Sequence, residues 1–271
     1  MNVSDAKDII KISEKEALKH RSFNHYSTYT KISGIVNDGY IFLSRGNNTY
    51  MNDQYECQNT GDKKTWNRVY EVCFTYGQEN VAMWGLYCVP WEDAAQLVIK
   101  KRNMLVLLQS IDKVYGVKNH KITEELCNRF DKDLISVAYC NPNPVNKKDG
   151  RSFKIGDKSY HLSNKKIDMG MLLKTPILSG RVKGIAWEYE KEIRLIIVLR
   201  SKTNYEQIAI KIPDSVLQSM KIITGPSFDN QKLKKNEYKL ARQIEINNSK
   251  YQSTVNLRNI CDMCKYNFEN K

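Results

Sequence analysis

Several signatures that usually announce an activity are missing from this sequence. It has no P-loop, no GxGxxG, no HExxH and no GxSxG. That removes the usual signals for P-loop nucleotide hydrolysis, dehydrogenase chemistry, zinc proteolysis and α/β-hydrolase chemistry. No apolar run approaches the roughly 20 residues a membrane span needs. The opening Met1-Asn2-Val3-Ser4-Asp5 lacks the basic-then-apolar pattern of a signal peptide. A cytoplasmic protein with no membrane partner is therefore expected. Cysteine is sparse: seven residues, odd in number and scattered, suit reduced thiols better than a disulfide framework. Only Cys261 and Cys264 are close together, and a lone CxxC without a second ligand pair at zinc-finger spacing predicts no metal. Repeats, long low-complexity tracts and a clear linker are also missing, which points to one domain over residues 1–271.

Positive charge is abundant. The chain carries 43 Lys and Arg against 30 Asp and Glu, a formal +13. Such an excess favours phosphate-bearing partners through counterion release and steering, although a plain solubility surface would look the same. Against this basic background one stretch stands out, Ala186 to Leu199. Its second half is β-branched and aliphatic enough for a buried strand. Its first half spaces Glu188, Glu190 and Glu192 by two, with Arg194 in step, which in an extended chain puts all four on one face. Buried carboxylates cost roughly several kcal/mol unless paired or used. The row is either a site or a solvated edge paired to lysines.

Local patterns predict strands and short helices without strict βαβ alternation, hence an α+β fold with a mixed or antiparallel sheet. Ser4-Asp5 caps a helix ending near Lys19-His20, and Phe23 to Tyr29 reads as a strand. Tyr40 to Ser44 is a second strand, running into Arg45 and the polar Met51-Asn52-Asp53 turn. Val69 to Thr75, Ala95 to Ile99 and Leu134 to Cys140 are further strands, and Asn80 to Tyr87 a short helix. Helices are expected over Asn103–Tyr115, Ile122–Phe130 and the lysine-rich Asn230–Ile244. Residues 141–166 read as a basic insertion loop with a hairpin turn at Ile155-Gly156-Asp157-Lys158. Gln207–Ile212, Lys221–Thr224 and an edge at Thr254–Leu257 complete the strands.

The ordered set of an HYS strand at His25-Tyr26-Ser27, an FLSR strand ending at Arg45, MND, MWGLY around Trp84, VAY, and WEYEKEIRLI resembles a bacterial family of unknown function. That family in turn is distantly similar to the ADP-ribosyltransferase fold of DarT-type toxins. The resemblance implies NAD as the consumed dinucleotide. It puts His25 and Ser27 at the nicotinamide ribose, Arg45 at the pyrophosphate or the developing charge, and Glu192 in the role of catalytic carboxylate, with Glu190 the competing choice. Tyr26, Tyr50 and Trp84 are candidates to stack on nicotinamide, adenine or a target base. With the positive charge, the implied target is single-stranded RNA or DNA, and the implied setting is a toxin or phage-defence effector with an antitoxin partner. Trp84 and Tyr87, three apart on a helix, are equally what a core contact looks like, and Arg45 could cap a turn. A binding module without turnover, or a magnesium-dependent nuclease using the glutamates and Asp53, are the readings from other classes.

Overall fold

The computed structural model describes residues 3–46, 63–127, 129–141, 149–235, 238–252 and 254–255. From the N-terminus the chain runs α1 (Ala6–Ala17), β1 (Ser22–Thr28), α2 (Tyr29–Asp38), β2 (Tyr40–Arg45), α3 (Lys63–Trp66), β3 (Val69–Thr75), α4 (Val81–Tyr87), β4 (Ala94–Lys100) and α5 (Lys101–Ser110). It continues through β5 (Val114–Lys118), β6 (Lys121–Cys127), β7 (Phe130–Ser136), β8 (Ala138–Cys140), β9 (Ser152–Ile155), β10 (Lys158–His161) and α6 (Met169–Leu172). The remainder is β11 (Val182–Gly184), β12 (Glu192–Leu199), β13 (Gln207–Lys211), α7 (Asp214–Leu217), β14 (Lys221–Thr224) and β15 (Glu245–Asn248). The class is α+β with mixed sheets and few helices. No described helix is long and apolar enough to cross a membrane.

These elements pack as two compact units, each built from separated segments. The first holds residues 1–20, 41–76 and 111–211; the second holds 21–40, 77–110 and 212–271. In the first, β12 is central, antiparallel to both β3 and β7. Its run Ile193-Arg194-Leu195-Ile196-Ile197 is buried on both faces, which is why it lacks the alternation of a half-exposed strand. On the far side of β3 the order continues β2-β13-β5-β6. A four-stranded sheet, β10-β9-β8-β11, completes the unit. Against it lies α1, whose Ala6, Ile9 and Ile12 join Phe153, Leu162 and Leu178 in one apolar cluster.

In the second unit the strand order is β15-β14-β4-β1, with α2 packed on β1 and β4. Tyr26, Met83, Trp84, Cys88 and Ala94 form a compact core cluster there.

Four sequence expectations are corrected. Residues 122–127 and 129–130 are not helical: Asn119 and His120 both adopt positive φ and close a hairpin between β5 and β6, a turn that overrides the helix propensity of Glu124-Glu125-Leu126. The helix expected from Asn103 stops at Ser110, and Val114 and Tyr115 belong to β5. Between Asn230 and Ile244 the described residues contain no α-helix, only 3-10 turn at Lys232–Lys234 and Tyr238. Between Leu233 and Leu240 the sequence offers one apolar contact, Tyr238, which packs on Tyr29, short of the continuous stripe that holds a helix to a core. Finally, the glutamate row is not extended: Ile185–Glu190 is a 3-10 helix, Lys191 is left-handed, and β12 begins only at Glu192. The first half of that stretch lacks the β-branched residues that fill the second. Met51-Asn52-Asp53, Tyr50, Lys147, Lys148, Cys261 and Cys264 lie outside the described residues, as do Asn256 and Leu257 of the expected Thr254–Leu257 edge.

Candidate functional site

Breaking the glutamate row into a turn and a strand sorts its members. Glu188 stays exposed and pairs with Lys154 at 2.6 Å. Glu190 and Glu192 turn inward, 2% and 4% exposed. Glu192 pairs with Thr75 of β3, and Arg194, two residues on and so on the same face, pairs with Cys73.

Arg194 organises the cluster. Its Nε donates to Glu192 Oε1 at 2.9 Å and its Nη2 to Oε2 at 3.0 Å, a bidentate fork. Its Nη1 donates to Glu71 Oε2 at 3.2 Å and to the Gly180 carbonyl at 3.0 Å. Lys183 Nζ on β11 donates to Glu190 Oε2 at 2.6 Å and to Glu192 Oε2 at 3.4 Å. The same Nζ lies 4.8 Å from the centroid of the Trp187 ring. The Tyr139 hydroxyl accepts from the Glu192 amide at 2.9 Å. Three buried carboxylates thus surround two buried cations. The approach of the Gly180 loop depends on glycine: φ is +74°, and a Cβ there would come within 2.9 Å of Glu71 Oε2.

Burial alone would raise the Glu192 carboxyl, but Arg194 and then Lys183 outweigh it and hold it well below the usual carboxylate range. At neutral pH Glu192 is a fixed, dehydrated anion. Such a group stabilises positive charge developing beside it. It is a poor proton acceptor, because a base works best with a pKa near the operating pH.

Arg45 closes β2, opposite Tyr70 of β3. Its Nη2 donates to the Thr203 carbonyl at 3.0 Å and to the Tyr205 carbonyl, and its Nη1 lies 3.1 Å from Glu206 Oε1. The guanidinium ties the end of β2 to the 203–206 segment and is itself buried. Arg45 and Glu192 stand opposite Tyr70 and Thr75, five residues apart along β3, a spacing of about 17 Å. The structure does not bring them together.

His25, Tyr26, Ser27 and Trp84 belong to the second unit. In β1 the alternation puts His25 and Ser27 on one face and Tyr26 on the other, opposite Leu97, Ala95 and Gln96 of β4 respectively. His25 is half-buried. Tyr26 and Trp84 meet edge to face at 4.7 Å inside the core cluster. The Tyr26 hydroxyl accepts from the Asn80 amide at 3.1 Å, and burial pushes this phenol up. Trp84 Nε1 donates to Glu79 Oε2 at 3.3 Å. Glu79 also accepts from the Ser249 hydroxyl and from the Lys250 amide at 3.2 Å. Glu79 clasps the 249–250 segment to α4. In the sequence Glu79 stands just before the expected Asn80–Tyr87 helix and carries no motif of its own.

Set against a dinucleotide, these residues divide. Glu192 carries the charge a glycosyl-transfer carboxylate needs, and His25 with Ser27 shares a strand face. Tyr26 and Trp84 are engaged within the fold, and both terminal nitrogens of Arg45 are held by the 203–206 segment while its Nε is buried without a partner. Among the described residues no three His, Cys, Asp or Glu side chains are grouped to hold a metal ion. A cavity of about 640 Å³ in the second unit is lined by Glu92, Asp229, Lys232, Ser227 and Gln252 and includes none of the residues predicted for the site.

No family model, no curated protein and no solved structure matches the chain.

Proposed function

We propose that this protein is an NAD-consuming ADP-ribosyltransferase that modifies single-stranded RNA or DNA in the cytoplasm, as a bacterial toxin or phage-defence effector with an antitoxin partner. One observation carries the reading: Glu192 is a buried carboxylate, oriented by a bidentate guanidinium and kept charged by Arg194 and Lys183. Cleaving the nicotinamide glycosidic bond builds oxocarbenium-like charge on the ribose, and a preorganised anion lowers the cost of that charge in the transition state. In this proposal Glu192 supplies that stabilisation, nicotinamide leaves as the C–N bond breaks, and the proton of the attacking nucleophile is released to solvent water. Arg45 serves a pyrophosphate only after leaving the carbonyls of Thr203 and Tyr205. Tyr26 and Trp84 are assigned to the framework. The formal +13 supports a polyanionic target, and a base is reached more easily when it is already unstacked.

The test is transfer of label from NAD to separate pools of RNA, single-stranded DNA and protein. We expect label in a single-stranded nucleic acid, retained by Glu190→Gln and reduced about 10²–10³-fold by Glu192→Gln. No transfer and no nicotinamide release in any pool contradicts the proposal.

A second reading, a nucleic-acid or protein-binding module without turnover, is favoured by the engagement of both Glu192 oxygens and of the Arg45 guanidinium inside the fold. It predicts binding that survives Glu192→Gln in a protein that never consumes NAD.

A further inference from the structure

We infer that the face of the first unit formed by α1 and the 163–178 segment is a docking surface for the phosphodiester backbone of a single-stranded nucleic acid. This rests on the target class proposed above. Lys7, Lys11 and Lys15 follow one another at intervals of four along α1 and all are exposed. At 1.5 Å per residue they form a row with roughly 6 Å between cations. The opposite face of the helix buries Ala6, Ile9 and Ile12 in the apolar cluster, so the lysine row faces outward.

The same cluster brings a second set of lysines alongside. Val3 bridges Leu162, and the Ser163 amide donates to the Val3 carbonyl at 2.9 Å, so the start of α1 lies beside the turn that carries Lys165 and Lys166. Further on, α1 packs against Pro176–Leu178, just after Lys174. All three of these lysines are exposed. Among the described residues none of the six makes a salt bridge.

Of the nearby acids, Asp5, Asp8 and Asp168 are held in capping contacts, Asp8 also lies in the field of Lys11, and Glu16 pairs with Lys19. Asp5 Oδ1 accepts from the Lys7 and Asp8 amides at 2.8 and 3.0 Å. Asp8 accepts from the Ser4 amide and hydroxyl at 2.9 and 2.7 Å. Asp168 accepts from the Met171 amide at 2.8 Å. On the same 163–178 segment as Lys165, Lys166 and Lys174, Met171 and Ile177 are 54% and 42% exposed. Cations that track a backbone, interleaved with apolar surface that unstacked bases can lie on, are the pairing that single strands bind. A duplex holds its bases away from such apolar contacts.

The test is binding of the full chain to fluorescein-labelled oligouridine and oligothymidine across a salt series, with a hairpin duplex and phosphatidylserine vesicles as further arms. Each phosphate contact on a single strand contributes about 0.7 to the slope of log K against log salt. We expect K7Q/K11Q/K15Q to flatten that slope by about 2 and weaken binding, while K118Q/K121Q, at the turn between β5 and β6, leaves both unchanged. An unchanged slope in the α1 variant, binding to vesicles without binding to oligonucleotides, or a preference for the duplex overturns the assignment. Salt-dependent binding without NAD turnover would remove the enzyme reading and leave this surface standing; NAD-dependent labelling of nucleic acid with an unchanged slope would remove the surface alone.

Discussion

Arg194 is 1% exposed and touches two of the three buried glutamates, so its removal leaves Glu71 and Glu192 without their principal counter-charge. Breaking a buried pair on one side costs about 3–5 kcal/mol, and Arg194→Met should lower the urea midpoint accordingly, with little change in the slope of the transition. The pH dependence has a definite sign. The Glu192 carboxyl lies below its ordinary 4.5 in the folded protein, so its contribution to stability is complete above that value and is lost as pH falls through the depressed folded value. Acid melts should therefore show destabilisation setting in below about pH 4.5 that is smaller in Glu192→Gln. Trp84 makes a different prediction. As a fully buried ring in the core cluster, its change to Ala should cost about 3–5 kcal/mol whether or not NAD is present, measured by thermal or urea unfolding. At this scale the sequence discloses that carboxylates and cations are concentrated before an apolar strand, but a spacing of two makes one strand face only where the chain is extended. The intervening 3-10 turn sent Glu188 to solvent and Glu190 inward. Neither Glu71 nor Lys183 carried a local signal. They join the cluster only through the pairing of β3 with β12 and of β11 with β8.

Elements whose own residues decide them were legible. Asp5 caps α1, and Asn80 caps α4. The alternation in Tyr40 to Ser44 and the apolar run of β12 gave strands where strands are found. Elements decided by turns or by tertiary partners were not: the β5–β6 hairpin depends on left-handed Asn119 and His120, and the lysine-rich segment after Asn230 had charge but no continuous apolar stripe. Gly180 ties the element scale to the site. Its positive φ brings a carbonyl to Arg194, and a Cβ there would also come within 3.2 Å of Val69 Cγ1. Gly180→Ala should cost about 1–3 kcal/mol and show it as a lower thermal midpoint. A neutral result would mean that the loop shifts freely and does not fix Arg194.

Over the whole molecule, bulk charge and the α+β class follow from composition and element order. The division into two compact units of discontinuous segments does not, because it depends on which distant strands pair. It separates the six predicted site residues, with Arg45 and Glu192 in one unit and His25, Tyr26, Ser27 and Trp84 in the other. Whether Glu192 reacts or only holds the fold is decided by comparing rate with folded fraction. Glu192→Gln, assayed for nicotinamide release from NAD at a temperature below its own unfolding midpoint, should be about 10²–10³-fold slower than the parent protein while remaining folded. A rate that falls only in proportion to the unfolded fraction would mean that Glu192 is a buried ion-pair partner and not the carboxylate of the reaction.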